Sequence, residues 1–154
     1  MKNYDKHLED LRELYIKATP SQRLKVALDR MNFPECGPNK LIQAVSAVEG
    51  LSRALLLNAK VTGGESIDLA YNEIRRYNAK RLVKEYICRY HGSNPTDFIS
   101  NDVWITFCHA IKYRNLLIHE CTFLRHNYSK QLVDASLIVF KKLSEFSKHN
   151  KKSQ

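Results

Sequence analysis

Apolar side chains recur at steps of three and four residues along most of this 154-residue chain, a spacing that favours amphipathic α-helices. Five glycines and four prolines are too few for a fold rich in strands and turns. A chain of about 100–200 residues usually forms one domain. The sequence therefore predicts one all-α domain over residues 1–148, a bundle of four to five main helices plus a short helix. A frayed basic tail is expected at 149–154.

The predicted helices follow one another through short connections. A first helix precedes Pro20, and a short second helix follows it, capped by Thr19 or Ser21. A long third helix begins at Pro38, and its wide apolar stripe places it near the centre of the bundle.

The second half of the chain continues the helical pattern. A fourth helix begins at Ile67, where Ser66 is a reasonable cap, but a polar stretch over residues 75–81 interrupts its stripe. We expect this helix to bend there or to have an unusually exposed middle. After a loop at residues 91–95, two further helices are predicted, one of them capped by Asp97, Ser100 or Asn101.

Charge and cysteine content limit the class of protein. The chain has 25 Lys and Arg against 16 Asp and Glu, a formal net charge of +9. Residues 141–154 contain five lysines and one glutamate, so four of these nine charges belong to the tail. The positive charge that remains on residues 1–140 is moderate. It would help to hold a nucleic acid, but it does not identify a nucleic-acid-binding protein. No secretory signal, membrane helix or paired-cysteine motif is evident, so we expect a cytoplasmic protein without a metal or cofactor.

One residue departs from the helical pattern. Arg114 occupies a position that the apolar stripe of its helix assigns to the interior. A guanidinium group is always charged and is rarely buried without a partner. Arg114 therefore either pairs within the bundle, with Glu120, Glu49 or Asp102 as the partners considered, or faces a cleft.

The residues after Arg114 raise a question of geometry. Asn115 and His119 are four residues apart and lie on the same side of a regular helix. Arg114 and His119 are five apart, about 140° around the helix axis. All three side chains converge only if the helix breaks or a symmetric second copy completes the site, which favours a homodimer.

This segment, an arginine followed by a polar residue, three further residues and a histidine, resembles the R-x4-6-H signature of the HEPN superfamily. The likeness covers six residues of sequence, Arg114 to His119, and most of the chain in the order of its helices. It implies a metal-independent endoribonuclease that acts on RNA as a dimer, with the two motifs facing each other across a shared cleft. It also implies a toxin or phage-defence role, with an antitoxin or another partner enzyme.

The resemblance assigns roles to the residues of the motif. His119 would take the proton from a ribose 2′-hydroxyl or return one to the leaving 5′-oxygen. Arg114 would stabilise charge at phosphorus, and Asn115 would orient the imidazole or contact the phosphate. Three further polar residues are accessory candidates: Glu49, Ser46 and Glu120.

The chain departs from the pattern of HEPN toxins at one position, and two other functions remain open. HEPN toxins paired with a nucleotidyltransferase often carry a tyrosine two residues after the histidine, where this chain has Cys121. Silencing by modification of that tyrosine is therefore not expected here. A non-catalytic HEPN module that binds RNA or a nucleotide, or docks a partner protein, is the alternative function. A helical DNA-binding regulator is a third, although no helix-turn-helix pattern is evident.

A basic cluster precedes the motif. Residues 75–84 contain no acidic side chain and carry five cations, namely Arg75, Arg76, Lys80, Arg81 and Lys84. With Tyr77 and Tyr86 among them, they predict an aromatic-bearing RNA track. A solvated helix face is the competing interpretation.

Overall fold

Helices account for most of the structure, a computed structural model that describes Glu13 and residues 16–31, 38–119 and 126–149. The α-helices are α1 (Pro20–Met31), α2 (Pro38–Thr62), α3 (Ile67–Ile74), α4 (Ala79–His91), α5 (Asn101–His119) and α6 (His126–His149). A short 3-10 helix, Pro95–Asp97, lies between α4 and α5. No strand occurs within the described ranges. The predicted all-α helical bundle is confirmed.

Polar side chains begin several of these helices. The Thr19 hydroxyl accepts a hydrogen bond from the Gln22 amide at 3.2 Å, and the Gln22 side-chain oxygen accepts one from the Thr19 amide at 2.9 Å. This reciprocal arrangement is a capping box. Ser66 caps α3, and Ser100 accepts a bond at the start of α5. Of the caps considered from sequence, the structure uses Thr19, Ser66 and Ser100.

Residues 67–91 form two helices, so the prediction of one bent or exposed helix is wrong. The polar residues 75–78 form a junction between α3 and α4. Asn78 ends this junction, because its side-chain oxygen accepts a hydrogen bond from the Arg81 amide at 2.9 Å and so starts a new helix. A side chain that satisfies a free amide of the first helical turn makes such a restart favourable.

The central element of the bundle is α2, as its wide apolar stripe predicts. It contacts each of the other five α-helices. Leu41, Val48 and Leu55 on α2 are at most 1% exposed. The same hydrophobic core includes residues from α3, α4, α5 and α6. Polar side chains on α2 therefore lie against the surrounding helices, and this placement creates the candidate site.

Some predictions fall outside the described residues. They concern most of the first predicted helix, the Pro-containing stretch at 32–37, Glu120, Cys121, the side chain of His119 and the tail at 150–154. Across the part of the chain that is described, no helix has the length and apolar character needed to cross a membrane.

Candidate functional site

Arg114 on α5 pairs with Glu49 on α2. The Nη2 atom of Arg114 lies 2.9 Å from Oε2 of Glu49, and the two side chains are 14% and 25% exposed. Position 114 therefore faces the bundle interior, as the apolar stripe predicts. Of the carboxylates considered as partners from sequence, Glu49 binds Arg114, whereas Glu120 lies outside the described residues.

A second arginine shares the same carboxylate. Nη2 of Arg53, one helical turn along α2, lies 2.8 Å from Oε1 of Glu49. Arg53 also donates to the backbone carbonyls of Ile74 at 2.9 Å and Tyr77 at 3.2 Å, at the junction between α3 and α4. Glu49 thus neutralises one of two guanidinium groups, and the three side chains together carry a net charge of +1.

Sequence reasoning did not select Arg53. The available signal was its position four residues after Glu49, a spacing at which opposite charges on a helix meet. A second signal was its place within the leucine-rich middle of α2, where a charged side chain needs partners. Arg53 is 8% exposed, and its contacts satisfy that need.

The Arg114 guanidinium retains a donor that is not in use. Its Nε atom is buried and has no hydrogen-bond partner among the described residues. A guanidinium group has five N–H donors in a planar fork that matches a phosphate or carboxylate. Glu49 therefore fixes Arg114, whose Nε atom is enclosed by the protein and whose side chain is 14% exposed.

The remaining motif residues lie on other sides of α5. Asn115 is exposed. α5 runs without a break from Asn101 to His119, so the helix does not bring the histidine back toward Arg114. The Cα atom of His119 is about 140° around the axis from that of Arg114. It lies two turns beyond Lys112 on the same side of the helix.

The accessory candidates are separated. Glu49 contacts Arg114 directly, whereas Ser46 is half-buried on α2, one turn before Glu49. The prediction for Glu120 lies outside the described residues. The structure thus brings together Glu49, Arg53 and Arg114 at the boundary between α2 and α5.

The predicted basic cluster is exposed throughout. Three of its members line an open groove of about 500 Å³ along α4. The groove is lined by Asn78, Lys80, Arg81, Lys84, Glu85, Cys88 and Arg89. Arg75 and Arg76 belong to the junction before α4 and are not part of this lining.

The aromatic residues of the predicted RNA track make contacts within the protein. Tyr86 is 1% exposed and belongs to the core, so the expectation that it stacks on a base is wrong. The guanidinium carbon of Arg81 lies 3.6 Å from the ring centroid of Tyr77 and covers one face of that ring. This distance is typical of a cation–π contact. The groove therefore provides positive charges for a ligand rather than aromatic rings on which a base could stack.

No group of three or more His, Cys, Asp or Glu side chains arranged to hold a metal ion is found in the described part of the chain. Comparison of the chain with models of protein families, with curated proteins and with solved structures found no match.

Proposed function

We propose that this protein is a metal-independent endoribonuclease of the HEPN type, which cleaves RNA at a site assembled from two copies of the chain. The proposal combines the Arg114–His119 segment with one structural observation, the ion pair that fixes Arg114 against Glu49. That pair holds a guanidinium group at a helix boundary while its Nε donor is left without a partner in the described structure. A role as a toxin or phage-defence effector follows from the resemblance to HEPN toxins.

The proposed reaction uses the side chains of the motif. His119 removes the proton of a ribose 2′-hydroxyl, and the oxygen attacks the neighbouring phosphorus. The bond from phosphorus to the 5′-oxygen breaks, and that oxygen takes up the proton that His119 removed. The products are a 2′,3′-cyclic phosphate and a 5′-hydroxyl. Arg114 stabilises the negative charge that develops on the phosphoryl oxygens.

The unbroken helix supports a site shared between two copies. Because α5 is continuous through residue 119, the Cα atoms of Arg114 and His119 of one copy lie on different sides of the helix axis. We therefore propose a homodimer in which α5 contributes to the interface.

The test is RNA cleavage by the purified 154-residue chain in EDTA. We expect His119→Ala to lower the cleavage rate by about 10²–10⁴-fold, because a general base contributes that much. His109→Ala is the matched control, since it removes an exposed histidine from the same helix. It should retain the parent rate at saturating RNA. A 2′-deoxy nucleotide at the cleaved position should block the reaction, because the attacking hydroxyl is absent.

Two results would contradict the catalytic proposal. One is a parent protein that leaves RNA intact in EDTA, and the other is a His119→Ala variant that cleaves at the parent rate. Arg114→Lys, which retains the charge but loses the planar fork, should also be slow.

A non-catalytic HEPN module is the second candidate function. The observation that favours it is again the Glu49–Arg114 pair, because an ion pair between two helices gives Arg114 a structural role. This candidate predicts RNA or nucleotide binding without cleavage, or docking of a partner enzyme. The cleavage assay separates the two candidates directly.

A further inference from the structure

The groove along α4 is strongly cationic. Lys80, Arg81, Lys84 and Arg89 line it, with Glu85 as the one acidic lining residue that is described. Arg81 is already engaged by Tyr77 and by Glu85, whose carboxylate lies 3.9 Å away. Within the described residues, Lys80 and Lys84 pair with no carboxylate. These two lysines are one helical turn apart, so their ammonium groups form a row along α4.

The positive surface continues from α4 onto α5. Burial raises the pKa of the Cys108 thiol on α5, and the nearby charges of Lys80 and Lys112 act in the opposite direction. The helices α4 and α5 contact each other, and Lys112 follows Cys108 by one turn of α5. Lysines from both helices therefore lie near the same side chain. Lys112 is exposed and lies two helical turns before residue 119. Sequence reasoning did not include Lys112, because it lies 28 positions after Lys84.

We propose that Lys80, Lys84 and Lys112 form a binding surface for the sugar–phosphate backbone of single-stranded RNA, which leads along α5 toward His119. This inference rests on the proposed function and names how its substrate is held. The three ammonium groups contact phosphates, which carry no sequence information. RNA binding at this surface is accordingly independent of sequence.

The lining of the groove favours RNA over an acidic protein. Stable protein interfaces have an apolar or aromatic centre surrounded by a polar rim. The α4 groove has Cys88 as its only described lining residue without a charged or amide side chain. Tyr77 and Tyr86 provide no such centre, because Arg81 covers a face of the first ring and the second ring is buried. A row of cations with no aromatic or aliphatic residue among the described lining suits a phosphate backbone.

The experiment measures binding of labelled single-stranded RNA by fluorescence anisotropy, with His119→Ala in every protein to prevent cleavage. The test variant is Lys80→Gln/Lys84→Gln/Lys112→Gln. The matched control, Lys40→Gln/Lys130→Gln/Lys141→Gln, removes the same charge from exposed positions on α2 and α6. We expect the test variant to bind about tenfold more weakly, with the slope of log K against log salt reduced by about 2 because three phosphate contacts are lost. The control should stay close to the parent.

Binding to oligo-U, oligo-A and a mixed sequence should be equal within about threefold, as backbone contacts require. If the test and control variants lose the same amount of RNA affinity, the proposal is overturned, because binding would then depend only on net charge. Tighter binding of polyglutamate than of RNA would also overturn it, since the groove would be an acidic-protein site.

Different experimental results would contradict the proposed RNA-binding surface and the proposed catalytic activity. If the parent cleaves RNA and the lysine variant without the His119 change has an unaltered KM, the surface proposal fails and the catalytic one stands. If the parent never cleaves RNA but the lysine variant loses affinity, the surface proposal stands and the catalytic one fails. Circular dichroism of both lysine variants verifies that they are folded.

Discussion

Glu49 determines the environment of both arginines at the candidate site. Its two carboxylate oxygens each accept from a different guanidinium group, Arg53 at 2.8 Å and Arg114 at 2.9 Å. Removing one member of a partly buried ion pair leaves the other charge without compensation. Glu49 is therefore a positioning residue for Arg114 in the proposed reaction, and it also stabilises the fold.

His91 illustrates how a single side chain gives the fold a pH dependence. Its ring centroid lies 4.2 Å from that of Phe146 and 5.1 Å from that of Tyr86. Its Nε2 atom is buried without a hydrogen-bond partner in the described structure. Burial lowers the pKa of His91 below the ordinary histidine value of 6.5, because a protonated ring is poorly solvated there.

The lowered pKa predicts that stability falls as the solution becomes acidic. The unfolded chain binds the proton at His91 more readily than the folded chain, so protonation favours unfolding. The stability that the fold gains from an uncharged His91 is fully present above about pH 6.5, and it is lost as the pH falls below that value. In His91→Phe we expect the free energy of unfolding, measured with urea between pH 7.5 and 5, to depend less on pH than in the parent. An unchanged pH dependence would show that His91 is not responsible.

At the scale of elements, two glycines have opposite conformational roles. Gly50 lies within α2, and a Cβ atom placed there would meet nothing within 4 Å. Gly92 ends α4 with a φ of +63°, in the left-handed region that favours glycine. A Cβ at Gly92 would also meet nothing, so any cost there comes from the backbone conformation alone.

Alanine at these two positions should therefore change stability in opposite directions. We expect Gly50→Ala to raise the free energy of unfolding by about 0.5–1 kcal/mol, because alanine favours a helix interior. Gly92→Ala should lower it by about 1 kcal/mol, because the left-handed conformation is unfavourable with a Cβ atom. Urea unfolding of both variants at one pH gives the comparison. Two changes of the same sign would contradict this explanation.

The order of the helices followed from the sequence because burial obeys the helical period. The apolar stripe of α2 and the interior position of Arg114 were both predicted on that basis. The junction at residues 75–78 was not predicted, because a polar stretch is compatible with an exposed helix as well as with a break between two helices. Asn78, a favourable cap, was the available signal.

Two members of the proposed sites were missed for a different physical reason. The partners of Arg53 at the junction are backbone carbonyls, which every residue has and which leave no trace in the sequence. Lys112 joins the α4 surface only through packing of α4 against α5. The period of apolar residues in the sequence identifies the buried face of a helix. It does not indicate which face of another helix packs beside it.

At the scale of the whole molecule, the proposed site needs two chains. If Arg114 of one copy acts with His119 of the other, mixing Arg114→Ala and His119→Ala proteins creates one intact site in each mixed dimer. Half of the dimers are mixed and each has one of two sites, so we expect about a quarter of the parent activity. The measurement is RNA cleavage after the two inactive proteins are denatured together and refolded.

The mixing experiment has a direct control. Each variant refolded alone should stay inactive, and the parent treated in the same way should recover its rate. A mixture that remains as inactive as its components would place both residues of a site in one chain. Light scattering on the same samples reports whether dimers form.

Arg53 connects two parts of the molecule that are remote in sequence, since it binds Glu49 beside Arg114 and also the carbonyls at the start of the α4 groove. This arrangement has a consequence for sequence variation during evolution. A mutation that removes Glu49 leaves two neighbouring guanidinium groups without their shared counter-charge, whereas loss of Arg53 leaves the junction carbonyls without a donor. Natural variation at Arg53, Glu49 and Arg114 is therefore expected to be correlated, with the three residues retained together or replaced together in descendants of this chain.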